Sequence, residues 1–184
     1  MIRFIKKLFT LAVSLILLVT FGYCVVLPRV LPMEYQDIVE KYAKQYQLEE
    51  SLVYGVIFCE SRFEPEAVSS AGAVGLMQVT KETGWWAAEQ MGLDPDTIDL
   101  TDPDTNIRIG CWYLYWLNEK FDGVRETALA GYNAGHGNVA KWLVDEEMSR
   151  DGITLDEIPY GETKSYVRRV ELAEKAYRYI YRLG

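Results

Sequence analysis

Residues 49–61 read E-E-S-L-V-Y-G-V-I-F-C-E-S, and this stretch decides the fold. Leu52, Val53, Tyr54, Val56, Ile57, Phe58 and Cys59 leave almost no polar side, so the stretch predicts a helix buried on most faces. Val53, Val56, Ile57 and Glu60 fall at i, i+3, i+4 and i+7, which puts a carboxyl at the end of an apolar stripe. Desolvation there raises the carboxyl pKa, and the negative end of the helix dipole favours the neutral acid. Both effects prepare Glu60 to donate a proton near neutral pH. The competing reading is a helix that frays at Cys59 and turns Glu60 into solvent.

The flanking sequence predicts further helices. Tyr35 to Leu48 places Ile38, Tyr42 and Tyr46 at four-residue steps. A turn-rich stretch from Pro65 through Gly72 to Gly75 leads into a helical region over about Leu76 to Met91. Asp102 as cap, Pro103 and Asp104 open the next helix, with Gly110, Leu114, Leu117 and Phe121 as its stripe. Helices over about Val124–Ala134 and Val139–Val144 follow, then an exposed loop over 145–161. The last helix, about Thr163 to Arg182, turns Val167, Val170, Tyr177 and Ile180 inward. No segment sustains period-two alternation. The expected fold is an all-α domain of about seven short helices.

At the other end, Leu8 to Leu27 runs 20 residues without a charge. As a helix it spans about 30 Å, the thickness of a hydrocarbon core. Arg3, Lys6 and Lys7 precede it and Arg29 follows, so the basic flank is expected in the cytoplasm. A cleaved signal peptide is the alternative, but small residues of A-x-A type are absent. Tyr23 is too large for the position before a lipoprotein cysteine at Cys24. The expected organisation is a cytoplasmic flank (1–7), a transmembrane anchor (8–27), a linker (28–35) and an extracytoplasmic domain (36–184). The membrane is thus one partner, met through a single pass.

The chain of 184 residues carries a net charge of −8. All 27 acids lie beyond residue 28, against 16 Lys and Arg, so the outer part carries −11. Such a domain lacks the basic surface that nucleic acid requires. Average charge also opposes attraction to anionic membranes or phosphate polymers. Cys59 and Cys111 could pair outside the cytoplasm, yet both sit in apolar helical stretches where a free thiol packs as a small hydrophobe. The lone His136 has no partner at ligand spacing, so no metal is expected.

Five blocks give Glu60 its context: E-S-R-F at 60–63, S-S-A-G-A-V-G-L-M-Q at 69–78, N-I-R-I-G-C-W-Y-L at 106–114, A-L-A-G-Y-N-A-G at 128–135 and E-T-K-S-Y-V at 162–167. In this order and spacing the chain closely resembles the lytic transglycosylases of the lysozyme-like superfamily, over about residues 36 to 183. The resemblance implies a lysozyme-like glycan cleft with Glu60 as the single catalytic acid/base. It matches Ser69 to a serine near the substrate acetamido group and Gln78 to a cleft residue that hydrogen-bonds substrate. Tyr132 and Asn133 match a pair beside the catalytic glutamate, and Glu162 and Tyr166 match residues lining the cleft near the scissile bond. It further implies peptidoglycan glycan strands as substrate, 1,6-anhydro products and no cofactor.

Each residue also has a plainer reading. Gly72, Gly75 and Gly137 can serve turns alone, Gln78 can be a surface amide, and Tyr132 a core aromatic. Asn106 reads as structural, and Trp85, Trp86, Trp112, Trp116 and Trp142 as core residues. Three positions depart from the family pattern: Thr80 stands where methionine is frequent, Cys59 replaces a polar residue, and Gly131 replaces alanine. No second Asp or Glu reads as lying in an apolar setting comparable to that of Glu60.

Overall fold

The computed structural model describes residues 2–183 and divides the chain into two units, one up to Glu34 and one from Tyr35 onward. Met1 and Gly184, the outer ends of the expected flank and outer domain, lie outside the described residues. The first unit is helical throughout most of its length. Helix α1 (Ile2–Phe21) passes through one π-helical turn at Gly22–Val26 into the short α2 (Leu27–Val30). Helix therefore continues through Pro28, which follows directly on the π-helical turn. Phe9–Val30 is long and apolar enough to cross a membrane, and its side chains are unburied.

The second unit contains α3 (Gln36–Gln45), α4 (Glu50–Glu60), α5 (Lys81–Gln90), α6 (Pro103–Lys120), α7 (Arg125–Ala134), α8 (His136–Leu143) and α9 (Gly161–Tyr181). Helix α4 is the hub. Ser51 to Ile57 are all buried, as an apolar stretch without a polar face demands. Its principal partner is α9, which contributes Tyr166, Val167, Val170, Ala173 and Tyr177 to the core. Gly55 permits the close approach: a Cβ there would lie 3.0 Å from the Glu174 amide nitrogen. The cap on α6 is as expected, with Asp102 accepting from the Thr105 amide at 2.9 Å ahead of Pro103.

Three expectations need correction, the briefest being Ile180, which is 42% exposed near the end of α9 and does not face the core. The region from Leu76 does not enter a helix directly. Val79–Thr80 (β2) pairs with Ala73–Val74 (β1) as an antiparallel hairpin, and helix begins only at Lys81. Strands of two residues are too short to show period-two alternation. Thr80 closes the hairpin and caps α5, accepting from the Thr83 amide at 3.2 Å. The segment 145–161 is a loop, but not an exposed one throughout, since Ser149, Leu155 and Ile158 are buried.

Candidate active site

Glu60 is the last residue of α4 and is partly exposed, while the seven residues before Phe58 are buried. The helix stops there because Ser61 caps it and the chain reverses through Arg62 and Phe63, both at positive φ. Ser61 donates to the Leu76 carbonyl at 2.8 Å, which ties the end of α4 to the β1–β2 connection. Burial pushes the Glu60 carboxyl up to about 7, and Glu162 adds repulsion. The Tyr166 hydroxyl and the Arg169 charge pull it back down. Tyr166 is buried, and among the described residues its hydroxyl closes no hydrogen bond of standard geometry. It stands as a donor towards the Glu60 carboxylate, whose charged form it favours.

The other matched residues fall on three walls. On the first, Gln78 follows the tight connection of the hairpin and adopts a left-handed φ of 48°. Its side-chain amide holds this strained position by donating to the Ala67 and Gly75 carbonyls at 3.0 and 2.9 Å. Asn106 braces the same segment from α6. It accepts from the Met77 amide at 2.8 Å and donates to the Val74 and Leu100 carbonyls. Gly75, at φ +80°, is required there because a Cβ would lie 2.3 Å from the Asn106 amide nitrogen. Asn106 is thus structural, but it acts on the wall that carries Gln78.

The second wall is α7. The Tyr132 hydroxyl donates to the Met77 carbonyl at 2.9 Å, and burial with the nearby Glu60 charge raises its pKa well above 10. Asn133 accepts from the Thr163 hydroxyl at 2.8 Å and so anchors the first turn of α9. Gly131 has a plain reason: a Cβ there would lie 2.8 Å from the Phe121 ring, and Phe121 occupies the space that alanine would need.

The third wall is α9, where Glu162, Tyr166 and Arg169 follow at i, i+4 and i+7 and so share one face. Arg169 lies 6.0 Å from the Tyr166 ring centre. It was not singled out from the sequence, although this spacing after Glu162 and Tyr166 marks it. Arg169 also pulls down the Cys59 thiol, whose pKa burial raises to about 11.

A cavity of about 180 Å³ gathers Gln78, Thr80, Tyr113, Tyr132, Asn133 and Gly135. Thr83, Tyr113 and Gly135 also line a wider groove of about 580 Å³, which continues past Trp86, His136 and Lys141. Trp86 and His136 lie nearly parallel, ring centres 6.0 Å apart, and Trp116 meets Trp86 edge-on at 4.7 Å. Trp86 is therefore a groove residue and not only a core one. Ser69 stands apart, exposed in the turn, where its hydroxyl accepts from the Ala73 amide at 3.1 Å. All three cysteines, Cys24, Cys59 and Cys111, are free thiols.

A second carboxylate in a buried setting does exist. Glu174 is 5% exposed, but its setting is ionic and not the apolar one of Glu60. It is neutralised by Arg125 at 2.5 Å and Arg178 at 2.6 Å, with Glu49 bridging both guanidiniums. It lies two helical turns beyond Tyr166, about 12 Å along α9, so it belongs to a structural network.

A half-buried glutamic acid raised to about 7, close to Tyr166 and to the Tyr132 that lines the smaller cavity, is an arrangement suited to acid/base chemistry. The chain belongs to the transglycosylase SLT domain family, whose model matches residues 37–152. It is 32% identical over 151 residues to the soluble lytic murein transglycosylase of Escherichia coli, an alignment covering 80% of this chain and 23% of that one. It is 31% identical over 169 residues to membrane-bound lytic murein transglycosylase C of Haemophilus influenzae, covering 79% of this chain and 47% of the relative. The chain thus spans less than half the length of these curated relatives. Among solved structures, an inactive mutant of lytic transglycosylase Slt from Pseudomonas aeruginosa superposes with a TM-score of 0.71 at 32% identity, covering 83% of this chain and 25% of that chain. A 70-kDa soluble lytic transglycosylase in complex with bulgecin A superposes with a TM-score of 0.72 at 30% identity, over 84% of this chain and 26% of that one. The fold is that of the lytic transglycosylases.

Proposed function

We propose that this protein cleaves the β-1,4 bond between N-acetylmuramic acid and N-acetylglucosamine in peptidoglycan, with Glu60 as sole acid and base. The carrying observation is the Glu60 carboxyl raised to about 7, which keeps a proton available at neutral pH. Glu60 protonates the bridging oxygen, and the bond from the muramyl anomeric carbon to that oxygen breaks. The muramyl 2-acetamido oxygen stabilises the anomeric carbon from the opposite face. Glu60, now a carboxylate, takes the proton of the C6 hydroxyl as that oxygen bonds to the anomeric carbon. The acetamido group is released, a 1,6-anhydro ring is closed, and Glu60 is again protonated. The hydroxyl is tethered to the reacting sugar, so proximity favours it over water.

The surroundings suit these two roles of one group. Glu162 favours the protonated form that starts the cycle, while Arg169 and Tyr166 favour the carboxylate reached midway. Tyr132, Asn133 and Gln78 line the cavity for the sugar, and the exposed Glu162 and Ser69 are further substrate contacts outside that cavity. Residues 8–27 serve as a single-pass anchor that holds the domain on the wall side of the cytoplasmic membrane. The membrane-bound relative supports that reading.

The test is digestion of purified peptidoglycan by the detergent-solubilised chain, with products read by mass spectrometry. Anhydro ends are lighter than hydrolysed reducing ends by one water, about 18 Da. Hydrolysed ends alone would indicate a goose-type-lysozyme-like muramidase, and binding without turnover would indicate a wall-binding protein.

A further inference from the structure

The outer face of α9 carries a pattern that the catalytic reading leaves unused. Arg168, Leu172, Lys175 and Tyr179 follow at steps of four, three and four, so they form one stripe on the side of the helix away from the core, and Arg182, the left-handed residue that ends the helix, follows three residues on. All five are exposed, Leu172 at 58% and Tyr179 at 80%. Lys164 extends the stripe by a turn, paired with Glu157. Among the described residues, Arg168, Lys175 and Arg182 make no ion pair, and Glu171, three residues after Arg168 and four before Lys175, flanks the stripe on one side. Tyr166 and Arg169, which act on Glu60, lie on another side of the same helix.

This stripe runs against the charge of its domain. On a body carrying −11, three unpaired cations alternate with an exposed leucine and an exposed tyrosine. Cations for phosphate, an aliphatic side chain for the acyl boundary and a tyrosine for the headgroup level are the elements of an interfacial helix. The joining segment sharpens the choice of occupant. Only Leu31 to Tyr35 separate α2 from α3, a reach of at most about 18 Å. A domain on so short a tether meets a bilayer at high effective concentration, so even a weak face is engaged.

We propose that the Arg168–Leu172–Lys175–Tyr179–Arg182 face rests on anionic phospholipid headgroups of the membrane that holds the anchor. The proposal rests on the anchoring reading given above. Contact through this face offsets the repulsion between an acidic domain and an anionic surface, and it orients the domain. It turns the side of α9 bearing Tyr166 and Arg169 away from direct burial in the lipid.

The full chain is reconstituted into nanodiscs of phosphatidylglycerol and phosphatidylcholine, or of phosphatidylcholine alone. Lysines are then acetylated with a water-soluble reagent and read by mass spectrometry. Co-elution of the chain with discs tests the anchor separately. In the anionic discs at about 50 mM salt, Lys175 labelling is expected to fall about fivefold or more relative to Lys81, and to recover at about 500 mM. The Arg168→Glu/Arg182→Glu variant should lose the protection while still co-eluting. Equal labelling of Lys175 in both discs, with co-elution intact, overturns the proposal and leaves the anchor standing. Protection that arises only when poly(glycerol phosphate) is added to neutral discs also overturns it, in favour of an anionic wall polymer. Failure to co-elute overturns both.

Discussion

The Glu60→Gln variant should be more stable than the wild type, by an amount that depends on pH. The Glu60 carboxyl is raised from 4.5 to about 7 in the folded protein, first of all by burial. A raised acid binds its proton more tightly when folded than when unfolded, so stability falls as pH rises between those two values. Below 4.5 the group is protonated in both states and costs nothing; above 7 the cost is complete. At about 1.36 kcal/mol per pH unit the full cost is roughly 3 kcal/mol. Glutamine never ionises, so the variant escapes this cost at every pH. Its advantage should therefore grow from near zero at pH 4 to roughly 3 kcal/mol at pH 8, or about 6–12 °C in Tm for a domain of this size. Scanning fluorimetry of both proteins in the same detergent, from pH 4 to 8.5, gives the difference directly and cancels every other titrating group. A difference that stays flat with pH, or that is largest in acid, would refute the burial of Glu60 and with it the acid role. Activity should vanish in the variant throughout.

Three further perturbations probe the walls. Asn106→Ala removes three hydrogen bonds that brace the hairpin and orphans the Met77 amide; it should cost roughly 3–5 kcal/mol in urea denaturation and lower turnover as Gln78 loosens. Gly131→Ala should destabilise by about 1–3 kcal/mol, because the new methyl meets Phe121 and Leu117, and Phe121→Leu in the same chain should recover part of it. Arg169→Gln removes a charge that lowers the Glu60 pKa, so the alkaline fall of kcat/KM should move to higher pH; an unmoved limb would detach Arg169 from Glu60.

Much of the fold is legible because the apolar pattern is strong where burial is complete. Residues 52–57 admit only a buried helix, and the Asp102–Pro103 start carries its own cap chemistry. The hairpin is not legible, since two-residue strands leave no periodicity and are held by Asn106 from 29 residues away. Nor is the burial of Leu155 and Ile158, which loop composition hides. At the site, Glu60 is marked by its place at the end of an apolar stripe. The seat of Glu174 cannot be read locally, because its partner Arg125 lies 49 residues away. Trp86 is assigned to the core by composition, and only the neighbouring His136 and Lys141 open a groove beside it.

The tie between Thr163 and Asn133 has a consequence for the order of synthesis. A chain emerges from its N-terminus, so α4 and α7 exist before α9 does. Until α9 docks, Glu60 has neither Tyr166 nor Arg169 beside it, and α4 lacks its main packing partner. The surroundings of Glu60 are thus completed last. Before that, the end of α4 lacks the helix that buries most of its length. Whatever chemistry the raised carboxyl serves waits on the final helix to close the fold.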